Sequence, residues 1–171
     1  MTKTKVTPPK GFRPAGVLEW VTYSPDPPPF IRKQRRYGRR AEGIRYESKV
    51  QRKLEDSYLG FYVPSPWFVF KEVGVSRPRW CQPDGLLILP FTGQITIVEC
   101  KLQHTAEAWW QLKWLYLPVI VKAFPHDLWY YGLCEVVKWY DPATTFPEKV
   151  KMSPTVEEVR PNEFGVHILK P

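Results

Sequence analysis

The sequence predicts an α/β fold: one mixed central sheet flanked by helices, with core elements in the order helix, three strands, helix, strand (αβββαβ). Three observations lead there. Residues 41–58 repeat at the period of a helix. Two apolar runs, Gly85-Leu86-Leu87-Ile88-Leu89 and Gln94-Ile95-Thr96-Ile97-Val98, are joined by Pro90-Phe91-Thr92-Gly93, a loop that suits a hairpin. Thr105 is a helix N-cap with Glu107 in the first turn, and residues 129–140 read as a strand beyond that helix.

The chain has 171 residues, enough for one domain with a real core. At 43% hydrophobic and 15% aromatic residues, a packed globule is expected. No uninterrupted apolar stretch approaches the length of a membrane span, so no membrane association is expected. Residues 1–16 are rich in Lys and Pro and lack an apolar segment, so no secretory leader is expected there, and the expected location is cytoplasmic. Cys81, Cys100 and Cys134 are odd in number and widely spaced, which excludes a disulfide framework or a zinc pattern and suits a reducing compartment. The formal net charge of +8 points to an acidic partner, of which nucleic acid is the commonest.

In chain order, residues 1–40 read as a Pro-rich, basic arm. Seven prolines between Pro8 and Pro29 break regular structure, apart from a short edge strand over 17–23. The arm ends in a run with six cations and no acid: Arg32, Lys33, Arg35, Arg36, Arg39 and Arg40. It is read as a phosphate-gripping segment, against the alternative of a solvated charged loop. On the helix at 41–58, Ile44, Glu47, Gln51, Leu54 and Tyr58 share a stripe, so Glu47 faces the core. A carboxylate there costs several kcal/mol unless it is paired. The alternative is a small rotation that leaves Glu47 at a half-exposed boundary.

Residues 67–73 read as the first strand, with a turn region over 74–80. The two apolar runs form the hairpin strands. The helix from Thr105 carries Trp109, Trp110, Trp114 and Tyr116 and is ended or kinked by Pro118. Base stacking, core packing and a homodimer interface are all open for this aromatic cluster. Residues 41–140 are thus the core, and 141–171 an extension packed on it, with a final strand over 164–170.

Chemistry concentrates at the strand ends. Because strand side chains alternate, Glu99 and Lys101 project from one face with Ile95 and Ile97 behind them, and Cys100 points into packing. Asp84 precedes the neighbouring strand, so two carboxylates and one ammonium meet at one point. Hard oxygen ligands of this kind hold a divalent cation, and a lysine beside them stabilises developing charge or positions water.

Pro83, Asp84, Glu99 and Lys101 together resemble the motif of the PD-(D/E)XK nuclease superfamily, over about residues 41–138. The resemblance implies a restriction-endonuclease-like fold and a metal-dependent DNA nuclease. It implies Mg²⁺ or Mn²⁺ held by Asp84, Glu99 and the carbonyl of Cys100, and Lys101 on the attacking water or a phosphate oxygen. Glu47 matches the Glu that many members carry on the helix before the sheet, near the metal. RecB-like and lambda-exonuclease-like members carry a Gln on the helix after the Lys and a Tyr four residues later. Here Gln111 is followed by Tyr116, five residues on, a departure from that spacing. Gln111 is either a site residue or a core-edge amide. His104 is a candidate phosphate contact, against a structural role.

The expected partner is DNA, without a small-molecule cofactor. A phage or mobile-element endonuclease is the expected setting, with transposon-end cleavage or junction processing within its range. The alternatives are a non-catalytic nucleic-acid-binding module on the same fold and an interaction protein in which these charges form an ordinary ion-pair network.

Overall fold

The computed structural model describes residues 7–31, 37–125, 127, 129–141, 150–160 and 163–171. Arg32, Lys33, Arg35 and Arg36 lie outside the described residues. The protein is α/β, built on a mixed six-stranded sheet.

Strand β1 (Leu18–Ser24) leads to helix α1 (Arg39–Ser57). Strands β2 (Tyr62–Pro64), β3 (Trp67–Glu72), β4 (Arg79–Cys81), β5 (Gly85–Leu89) and β6 (Gln94–Gln103) follow. The chain then stays helical from 106 to 123. Helix α2 (Ala106–Trp110) passes through a π-helical segment, Gln111–Tyr116, into helix α3 (Leu117–Ala123). Strand β7 (Tyr130–Trp139), strand β8 (Val150–Met152), a 3₁₀ turn at Val156–Glu158 and strand β9 (Phe164–Ile168) complete it.

The main sheet runs β2-β5-β6-β7-β9-β8. β5 and β6 form the antiparallel hairpin, closed at Gly93 with φ 66°. β6 and β7 are parallel, as a strand–helix–strand crossover requires, and β9 and β8 continue in parallel beyond β7. The C-terminal residues therefore extend the sheet itself.

β3 does not belong to this sheet. It pairs with β1 and β4 in a separate three-stranded sheet, and β2 takes the place beside β5. Pro64 and Pro66 flank Ser65 at φ 45°, and proline donates nothing to a ladder, so the chain turns out of the main sheet there. The turn is pinned by Ser65 N–H donating to the Asp84 carbonyl at 2.9 Å. The short edge strand expected over 17–23 is present as β1, and residues 13–16, expected to trail as an arm, are packed on the body. Arg13 pairs with Glu72 at 2.7 Å, Ala15 N–H donates to the Trp114 carbonyl, and β1 adds to β3.

Two cores cover the two faces of the main sheet. On one, Tyr46, Val50 and Leu54 of α1 pack on Leu87, Leu89, Val98, Cys134 and Val136. On the other, Trp109, Leu112, Tyr116, Val119 and Ile120 pack with Phe68 and Phe70 against Ile95, Ile97 and Leu133. The inward stripe of α1 is thus Tyr46-Val50-Leu54, one residue from the stripe expected through Glu47. Ile44 is exposed, and Glu47 and Gln51 border the buried stripe. Pro118 does not end the helix. It stands in the first turn of α3, where a missing N–H is tolerated, directly after the π-helical segment. Among the described residues, no helix is long and apolar enough to cross a membrane.

Gly85 pairs with Pro64 of β2, and a Cβ there overlaps the ring and hydroxyl of buried Tyr62. Gly85→Ala is expected to lower stability by about 1–3 kcal/mol, the range for overpacking a filled core. Urea denaturation measures this, and an unchanged midpoint contradicts the account of the packing.

Candidate active site

The antiparallel register of β5 and β6 sets Gly85 opposite Val98. The next pair outward is therefore Asp84 and Glu99, on the face that carries Ile97 and Leu86. Asp84 Oδ2 accepts a 2.6 Å hydrogen bond from the Cys100 N–H, which ties the carboxylate across the two strands. Glu99 is buried at 4% exposure. Its Oε1 is 2.8 Å from Lys101 Nζ, while its Oε2 is buried without a hydrogen-bond partner.

The electrostatics follow from that packing. Burial pushes the Asp84 carboxyl up to about 6, against the Cys100 N–H and Lys101, which favour the charged form. Burial, then the neighbouring Asp84 charge, pushes Glu99 up to about 8 despite the Lys101 ammonium. Burial works against the Lys101 charge, but Glu99, Glu107 and Asp84 outweigh it and hold its pKa above the ordinary lysine value. The ammonium therefore stays charged at neutral pH.

Asp84, Glu99, Cys100 and Lys101 line one cleft of about 460 Å³ with Glu47, Arg39, Arg40, Gln103, Thr105 and Glu107. Gln51, one turn beyond Glu47, organises this side: its Nε2 reaches Glu47 Oε1 at 3.3 Å, Ser65 Oγ at 2.6 Å and the Asp84 carbonyl at 3.0 Å. Arg39 and Arg40, expected in the arm, occupy the first turn of α1 and are exposed at the rim. Arg39 Nη2 reaches Gln103 Oε1 at 3.3 Å.

His104 is not at the surface. It is 3% exposed, its Nδ1 lies 2.5 Å from Glu135 Oε2, and its ring packs on Tyr140 and Phe164. Glu135 is opposite Glu99 on β7, and its Oε1 accepts from the Thr105 N–H at 3.0 Å. This buried pair anchors the start of α2, so a phosphate contact by His104 is excluded by burial. Gln111 does not line the cleft, and its Oε1 is buried without a partner. The π-helical segment runs from Gln111 to Tyr116, and its wider turn spans their five-residue spacing. The Tyr116 phenol is buried, and burial together with Glu99 and Asp84 pushes its pKa well up. Of the tryptophans, Trp109 is in the core, Trp110 meets Phe12, and Trp114 is exposed.

Sequence reasoning missed Glu107 as a cleft residue, Gln51 as the partner of Glu47, and Glu135 beneath the α2 start. Gln51 alone left a sequence signal, its place one helical turn after Glu47.

Hard oxygen donors are present: the Glu99 Oε2 atom without a partner, the Asp84 carboxylate beside it, and Glu47 across the cleft. They fit a divalent cation. Among the described residues, no group of three or more His, Cys, Asp or Glu side chains stands at ligand spacing, so a cation here needs backbone oxygen and water to complete its shell. No family model matches the chain, and neither does any curated protein or solved structure.

The raised carboxyls give a stability prediction for the metal-free protein. Unfolded, Asp84 and Glu99 titrate near 3.8 and 4.5; folded, near 6 and 8. The folded state binds the extra protons, so stability falls as pH rises from about 4 to about 8. Glu99→Gln is expected to flatten this fall and to raise stability at pH 8 by on the order of 1–3 kcal/mol. Urea denaturation in chelator at pH 5 and pH 8 checks it, and an identical pH dependence in the variant contradicts it.

Proposed function

We propose that the chain is a metal-dependent deoxyribonuclease with a restriction-endonuclease-like core, hydrolysing phosphodiester bonds with Mg²⁺ or Mn²⁺. The observation that carries this reading is the convergence, across one strand register, of Asp84 and Glu99 with Lys101 on the same face. The unpartnered Glu99 oxygen and the cations at the cleft rim support it.

Asp84 and Glu99 would hold the cation, with the Cys100 carbonyl as the third protein ligand and Glu47 facing them. A divalent cation in that position supplies Lewis-acid polarisation of a phosphoryl oxygen and acidifies bound water. Lys101 presents a charged ammonium to the oxygen on which negative charge grows. The Cys100 N–H fixes Asp84, and Gln51 fixes Glu47, so neither carboxylate has to reorganise when substrate enters. Arg39 and Arg40 meet phosphates arriving at the rim. The competing reading takes the 2.8 Å Glu99–Lys101 contact as an ordinary ion pair in a non-catalytic nucleic-acid-binding module.

A cleavage time course on linear, nicked, branched and single-stranded DNA in Mg²⁺ and Mn²⁺ separates the two. Asp84→Asn and Glu99→Gln are expected to abolish cleavage while the proteins stay folded. Lys101→Ala is expected to slow turnover roughly a hundredfold or more, because its charge acts on the transition state. Wild-type rates in any of these variants, or no cleavage by the wild type of any substrate, overturn the reading. Separately, Arg39→Gln combined with Arg40→Gln is expected to reduce the slope of log K against log salt for duplex DNA by about two. An unchanged slope removes both from the DNA contact.

A further inference from the structure

We propose that the groove on the other flank of α1 from the cleft is a binding site for single-stranded nucleic acid. It is a separate site of about 500 Å³, and none of its lining residues is shared with the cleft. Arg45 and Lys49 line it from α1, Lys138 and Trp139 from the end of β7, and Lys170 from the C-terminal segment. The one acidic side chain in its lining, Glu42, is occupied by Lys138 at 3.0 Å. Arg45, Lys49 and Lys170 are exposed, and among the described residues none of them has an ion-pair partner.

The positive track continues. Lys49 and Lys170 also line an adjoining depression that adds Arg52 and Lys53, with Asp56 as its one acid. The cations of α1 from position 45 to 53 span roughly 12 Å at the helical rise, so they form a stripe rather than a point. A stripe of this kind follows a phosphate backbone.

Trp139 decides which backbone. Trp139 is 45% exposed. Lys138 Nζ sits 4.2 Å from its ring centroid, so one face is held by an ammonium and the ring is fixed in place. In a duplex, bases stack on each other and offer no face to a side chain. An unpaired base offers one, and cations interleaved with an aromatic platform are the equipment of single-strand binding. The position adds direction. Trp139 is paired with Gln103, a residue of the cleft lining, and Arg39 bonds that same Gln103. A strand leaving the cleft past the first turn of α1 therefore reaches Trp139 one β-strand away.

The test uses the full chain in chelator, without cleavage, so that it is independent of the nuclease reading. Fluorescence anisotropy of a labelled oligothymidylate is the measurement. The wild type is expected to bind it, Trp139→Ala to weaken it about tenfold, and Trp139→Phe to retain most of the affinity, because a π-face remains. Lys49→Gln combined with Lys170→Gln is expected to lower the salt slope by roughly 1.4, while melting curves show every variant folded. No binding by the wild type, equal binding by Trp139→Ala, an unchanged salt slope, or an equal loss of affinity for a blunt duplex in Trp139→Ala overturns the proposal.

Discussion

The structure depends on one unfavourable juxtaposition: Asp84 and Glu99 side by side at the edge of a buried sheet face. The hairpin register brings them together at the wall of the cleft. Burial is the first cause of both raised pKa values, and at Glu99 the neighbouring Asp84 charge adds to it. Lys101 offsets only part of that. The surroundings hold the arrangement in place: the Cys100 N–H on Asp84, the Gln51 amide across Glu47, Ser65 and the Asp84 carbonyl, and the buried His104–Glu135 pair under α2. Local destabilisation of this kind, held by a second layer of bonds, is characteristic of sites that await a charged ligand.

The parts legible in the sequence had local signals. Helix α1, the hairpin and the Thr105 cap follow from periodicity, turn chemistry and capping, and Glu99 and Lys101 share a face simply because strand side chains alternate. What was not legible depended on distant partners. β3 has a clear strand pattern, but its partners β1 and β4 cannot be read from it, and β2 is three residues long, too short for alternation to show. The inward stripe of α1 was misread by one position because both stripes satisfy a helical period through Leu54. Contact with Val98, Leu87 and Val136 selects the one through Tyr46 and Val50. His104 looked like a residue near a strand end, and its burial is set by Glu135, 31 residues further on.

Charge is distributed with respect to the same helix. α1 covers one core, and its two flanks differ: Glu47 and the rim arginines on the side of the acids, Arg45 and Lys49 on the side of Trp139. Cations thus stand on both flanks of the helix.

The central claim is that the acid pair Asp84 and Glu99 is built for a divalent cation. The most direct measurement is the melting temperature of the full chain against Mn²⁺ concentration, for the wild type and for Asp84→Asn. A site that binds only in the folded state gains stability with the logarithm of ligand concentration above its dissociation constant. The account predicts a steady rise for the wild type and a flat line for Asp84→Asn. A flat line for the wild type, or an equal rise in both proteins, contradicts it.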